Sequence, residues 1–114
     1  MIQPISGLGG GMGGVQGPQP WQKEGMQAIM NQMNATVNAK GSGDPDKQVG
    51  ILSQDCFALQ QQMRQAGCPQ TAIDAVGDYA GKAISYIRDS GNPPPNIADV
   101  QNAMEAAEAG IWNS

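Results

Sequence analysis

Apolar residues alternate at steps of three and four in three separate stretches of this chain. The first holds Val49, Leu52, Cys56, Leu59, Met63 and Ala66, the second Ile73, Val76, Ala80, Ala83 and Ile87, and the third Ile97, Val100, Met104, Ala107 and Ile111. That spacing gathers every named side chain on one face of a helix, whereas a strand, with its period of two, would scatter them over both faces. The rhythm is that of a heptad seam. An earlier stretch approximates it with Met26, Ile29, Met30, Met33 and Val37, after Trp21. Four amphipathic helices, and so an all-α fold, are the reading.

The residues between these stretches are helix stops and starts. Gly41-Ser42-Gly43 ends the first stretch, and Asp44-Pro45-Asp46 opens the second with an N-cap, a proline at the first helical position and an acid at the positive end of the dipole. Gly67 and Pro69 stop the second stretch. Thr71 is expected to cap the third while Asp74 reaches back, a variant of the capping box. Gly91 and Pro93-Pro94-Pro95 close the third, and Asn96 caps the fourth. Such short connections make neighbours antiparallel, which predicts a small antiparallel four-helix bundle over residues 18–114. Residues 1–17 read differently. They hold the run Gly7 to Gly14 and no charged side chain, and are expected to form a flexible arm that acts as an assembly arm, an export signal or a disordered tail.

A chain of 114 residues forms one domain, and with 39% apolar and 4% aromatic residues its interior is lean. Seam positions hold Ala66, Ala80, Ala83 and Ala107, which let helices approach but bury little area. The lone domain is therefore expected to be marginal and to complete its burial against other molecules. Ile51 and Phe57 fall on opposite sides of the second seam and off it, so Phe57 either meets several neighbours or belongs to an interface. Tyr79 and Tyr86 share a flank of the third helix, at the core edge or at a contact. Trp21 and Trp112 lie at segment ends. Trp21, Phe57, Tyr79, Tyr86 and Trp112 are accordingly the candidate interface residues. Gly77 and Gly81, four apart beside the third seam, predict close packing of two helices.

Searching for chemistry yields exclusions. A net charge of −4 lacks the basic stripe that phosphates require, so nucleic acid is not an expected partner. The chain has no histidine, which removes imidazole bases, His-ligated metals and the Glu-x-x-His pattern of di-iron bundles. Asp44, Asp46, Gln48 and Asp55 imitate a calcium loop, but Val49 stands where its glycine must be and Pro45 favours helix. The pairs Asp74 with Asp78 and Glu105 with Glu108 read as solvated faces. Cys56 belongs to a seam and Cys68 to a turn roughly 15 Å or more away along a helix, beyond the reach of a disulfide. A reactive Cys68 would need a positive partner, for which only Arg64 is near in sequence. The glycine run lacks the Lys-Ser/Thr end of a phosphate loop. No catalytic residue, metal, cofactor or small-molecule substrate is assigned. With no signal peptide and no apolar run long enough to span a bilayer, the chain is expected to be made in the cytoplasm outside the general secretory route.

These constraints lead to a non-enzymatic structural subunit that docks, through its arm and exposed helix faces, onto itself or other protein subunits of an assembly. A phage virion component or a bacterial secretion-filament component fits. In gross composition the chain also resembles the harpin class of type III secreted proteins: glycine-rich, acidic, poor in aromatics, with an uncharged N-terminal stretch. That resemblance covers no aligned motif, and the two cysteines and two tryptophans depart from it; it implies an effector or helper exported without a signal peptide. An intracellular adaptor that binds a partner helix is the third reading.

Overall fold

Each helix begins where the local chemistry provides a start. The structure, a computed structural model, describes residues 17–114 and contains α1 (Pro20–Asn38), α2 (Pro45–Gln65), α3 (Gln70–Arg88) and α4 (Ile97–Trp112). Asp44 caps α2, its carboxylate accepting from the Asp46 N–H at 2.9 Å, and Asp46 adds negative charge to the first turn. Asn96 and Asp99 form a full capping box on α4: the Asp99 N–H donates to Asn96 Oδ1 (2.9 Å) and the Asn96 N–H to Asp99 Oδ2 (3.0 Å). The turn after α2 runs through Gly67 at φ 84°, which lets the Cys68 N–H reach back to the Met63 carbonyl (2.9 Å).

Polar contacts fix the relative directions of the helices. Gln60 of α2 donates to the Ile73 carbonyl of α3 (3.0 Å), and Arg88 at the end of α3 pairs with Asp46 at the start of α2 (3.0 Å). At the opposite pole Lys23 near the start of α1 donates to the Trp112 carbonyl at the end of α4 (3.1 Å), placing a cation where the α4 dipole is negative. Consecutive helices are antiparallel, α4 returns to α1, and the four close a ring in which α1 also touches α3. The small antiparallel four-helix bundle expected over 18–114 is the observed fold. The expected arm falls on residues 1–17, of which all but Gly17 lie outside the described residues.

A single apolar cluster fills the ring. From α1 come Met26, Met30, Met33 and Val37, from α2 Leu52, Leu59 and Met63, and from α3 and α4 the alanines Ala72, Ala80, Ala83, Ala103 and Ala107 beside Ile73, Val76, Tyr79, Ile87, Val100 and Ile111. Unbranched, adaptable methionines thus face a seam of small residues. All five seam residues of α3 are buried. In α4, Ile97 lies too near the helix start and stays exposed, while Ala103, outside the predicted seam, is buried. Cys56 on α2 is half-buried, Cys68 in the turn is buried, and both are free thiols.

Two local expectations are corrected. Thr71 does not cap α3: the cap lies two residues earlier, at Pro69, and the helix starts at Gln70, because the fixed φ of proline already sets the extended entry. The Asp74 carboxylate instead accepts from the Gln70 amide (2.8 Å). Gly77 and Gly81 do not mark a close helix crossing. A Cβ on Gly77 would meet only the Gln60 amide, and one on Gly81 would meet nothing within 4 Å. The close approach lies between Gly110 of α4 and Ala72 of α3, where an added Cβ would stand 3.0 Å from the Ala72 Cβ and 3.2 Å from its Cα. Replacement by alanine should therefore act with opposite signs at the two positions. Gly81→Ala should stabilise by about 0.5–1 kcal/mol through helix propensity, whereas Gly110→Ala should destabilise by about 1–2 kcal/mol as α4 is forced off α3. Urea unfolding followed by circular dichroism measures both.

Candidate functional site

The exposed apolar residues of the bundle are concentrated on α1, α2 and the pole where α4 ends. Trp21 is 69% exposed, Phe57 64%, Trp112 44% and Ile51 40%. Helical periodicity explains why. Phe57 lies on the side of α2 away from Leu52, Leu59 and Met63; around it Ser53, Gln54, Gln61 and Arg64 are exposed, and Gly50 and Gln60 are half-buried. Trp21 begins a line on α1 that continues through Gly25 and Ala28, also exposed. A groove of about 340 Å³ lies between these two helices at the tryptophan pole, lined by Trp21, Gln22, Gly25, Met26, Gln62 and Gln65, none of them charged.

Trp112 reaches the same pole from the end of α4. Its indole N–H donates to the Gln27 side-chain oxygen (2.8 Å), while the Gln27 amide donates to Glu108 (2.5 Å) and to Asn31 (2.9 Å). This network holds one edge of the indole and leaves the rest accessible. Gly17 also lies at this pole: a Cβ on it would stand 3.5 Å from the Ser114 carbonyl carbon.

The other two candidates lie elsewhere. Tyr79 is fully buried in the core and offers no surface, so its assignment to an interface is corrected in favour of the core. Its hydroxyl has no hydrogen-bond partner among the described residues, and burial, with the Glu108 carboxylate adding to it, pushes the phenol up to about 12. Tyr86 is half-buried, and the Lys40 ammonium sits 4.2 Å from its ring centre while pairing with Asp89 at 2.5 Å. Sequence reasoning placed both tyrosines on one flank; it could not show which side of that flank the neighbouring helices cover. Ile51, noted only as off-seam, joins the exposed set.

Charge separates the two halves of the bundle. Residues 18–65 contain four basic and four acidic side chains, which cancel, so the whole net charge of −4 resides in residues 66–114. Between Lys47 and Arg64, α2 carries a single charged residue, Asp55, and that carboxylate is turned toward Gln32 of α1, whose side-chain amide can donate to both its oxygens at 3.2 Å once its oxygen and nitrogen are interchanged. Partial burial pushes the Asp55 carboxyl above its ordinary range. Burial likewise raises the Cys56 thiol, with Arg64 opposing. A second, open groove runs between α3 and the proline loop past Gly77, Gly81, Lys82, Ser85, Gly91 and Pro93. Among the described residues no group of three or more His, Cys, Asp or Glu side chains is placed to hold a metal ion, and no helix is long and apolar enough to cross a membrane. No protein family, curated protein or solved structure matches the chain.

Because the Tyr79 hydroxyl is buried without a partner, removing it should not harm the fold. Tyr79→Phe should be neutral or stabilising by about 1 kcal/mol. It should also abolish an alkaline loss of stability. An unfolded tyrosine ionises near 10, the folded one near 12, so the parent keeps this contribution below pH ~10 and loses it progressively between the two values. Urea midpoints from pH 8 to 12 for parent and variant test both statements.

Proposed function

We propose that this chain is a non-enzymatic assembly subunit that docks onto protein partners through the outer face of α1 and α2 and the tryptophan pole. A phage virion component or a bacterial secretion-filament component is the class of assembly it fits. The observation that carries the reading is the exposure of Trp21, Ile51 and Phe57 on α1 and α2, where α2 bears no charged residue but Asp55 between Lys47 and Arg64. An exposed helix face normally carries Lys and Glu, which keep it in water and resist association; Gln, Ser, Gly and aromatic residues in their place are cheap to desolvate. Aromatic side chains also supply large contact area at little cost in rotamer entropy. The absence of histidine from the chain, which removes imidazole bases, supports a role without catalysis.

A second reading rests on the uncharged, glycine-rich residues 1–17: an effector or helper exported by a signal-peptide-independent machine. Deleting those residues separates the two. Loss of export with the helical content unchanged favours the exported protein, and loss of incorporation into a particle favours the subunit.

In extracts of the cells that make it, the chain is expected to sediment in a particle much heavier than its own 11.9 kDa. Phe57→Gln should release it to the top of the gradient without changing its circular dichroism, since the ring is exposed. Sedimentation as a free monomer in both forms would overturn the assembly reading.

A further inference from the structure

One line of α2 carries opposite charges at its two ends and an exposed ring near its middle. Asp46, Gly50, Ser53, Phe57, Gln61 and Arg64 follow one another at steps of four, three, four, four and three, so all six lie on a single outer stripe of the helix. An acid stands at one end, an arginine at the other, with two small residues and a large ring between. Asp46 and Arg64 are eighteen residues apart, which is five full turns, and are equidistant from the level of Asp55; Ser53 and Phe57 are equidistant from it too.

From this we infer that the stripe is the docking surface for a second copy of the chain, two α2 helices packing antiparallel about a two-fold axis at the level of Asp55. The inference rests on the assembly reading and names its partner. Charge complementarity carries it. An antiparallel copy brings each Arg64 to the partner's Asp46 at both ends at once, as an isologous contact requires. Arg64 is exposed and has no ion-pair partner among the described residues. The Asp46 side chain, though it meets Arg88 at 3.0 Å, is 78% exposed and has acceptor capacity left.

Shape agrees with charge. Each Phe57 falls over the other copy's Ser53 and Gly50, and a Cβ on Gly50 would meet nothing within 4 Å, so that position is an open dimple on the helix surface. A ring entering a hole lined by small residues is knob-into-hole packing. Gln54 lies beside the stripe at the level of the axis, and its amide, which donates and accepts at once, can pair with its own copy. A partner bearing fixed charge along its length would find nothing in the middle of this stripe to neutralise it. The α3–α4 side, which holds the whole net negative charge, would repel a copy of itself. The contact is short, about 27 Å of helix, and belongs with the small, weak interfaces.

Sedimentation equilibrium of the purified full chain tests this. The mass should rise from 11.9 kDa toward twice that value as the concentration approaches several hundred micromolar. Phe57→Glu, and separately Gln54→Glu, should raise the dissociation constant at least about tenfold with unchanged circular dichroism. Gln101→Glu on the outer face of α4 should leave it unchanged. Arg64→Glu alone should weaken the dimer, more so at low salt, and Arg64→Glu with Asp46→Lys should restore it, because a two-fold axis brings each swapped residue to its swapped counterpart. A chain that stays monomeric throughout, or a swapped pair that does not recover, overturns the inference. If the pure chain is monomeric while a Phe57-dependent particle persists in extracts, this inference falls and the assembly reading stands; a monomer in both settings removes the two together.

Discussion

The bundle depends on how closely α3 and α4 can approach. With Gly110 over Ala72, and Ala80, Ala83, Ala103 and Ala107 along the same two helices, the backbones come together with little side-chain material between them. Alanine burial contributes little area, so this pair cannot stabilise the domain alone. The remaining volume is filled from the other side by Met26, Met30 and Met33 of α1 and Leu52, Leu59 and Met63 of α2, long unbranched or γ-branched chains that reach across an alanine seam. Thin helices on one side and long side chains on the other form a single solution; changing either disturbs both.

Much of this was legible in the sequence because the features concerned are local. A helix repeats its face every three or four residues, and a cap requires only the residues beside it. The four helices, the roles of Asp44, Pro45 and Asn96, and the buried Ile73-Val76-Ala80-Ala83-Ile87 face all follow from spacing and side-chain chemistry. What could not be read is lateral. Gly77 and Gly81 have the spacing of a close crossing, yet Gly110, alone in its helix, makes it; which glycine faces a neighbour depends on the rotation of each helix in the ring. Tyr79 and Tyr86 are a second case. Seven residues place them on one flank, but Tyr79 lies under neighbouring helices while Tyr86 lies under Lys40, brought from 46 positions away in the chain. Thr71 is a third, where a preceding proline supplied the start that a hydroxyl was expected to supply.

The candidate surface was partly legible for the same reason. Phe57 is off a seam that the sequence shows, but spacing left open whether a further helix covers it; the ring of helices closes on the other side of α2 and leaves it exposed. Trp21 and Trp112 stand at segment ends in the sequence, but that they share a pole follows only from the antiparallel return of α4 to α1. The division of charge, neutral in the first two helices and acidic in the last two, gives the molecule a side that tolerates contact and a side that keeps it apart from its copies. A small domain with both properties can associate in one direction without aggregating in all of them.

The tryptophan pole also makes the molecule its own optical reporter. Both indoles sit at one end and in partial contact with water, while the interior contains a tyrosine and no tryptophan. Indole emission will consequently report on what happens at that end: a shift to shorter wavelength when something covers it, and only a modest change when the core melts. The ultraviolet spectrum of Tyr79, enclosed among apolar groups, reports on the interior. Two chromophore types thus record two separate events, surface engagement and loss of packing, in one unlabelled sample.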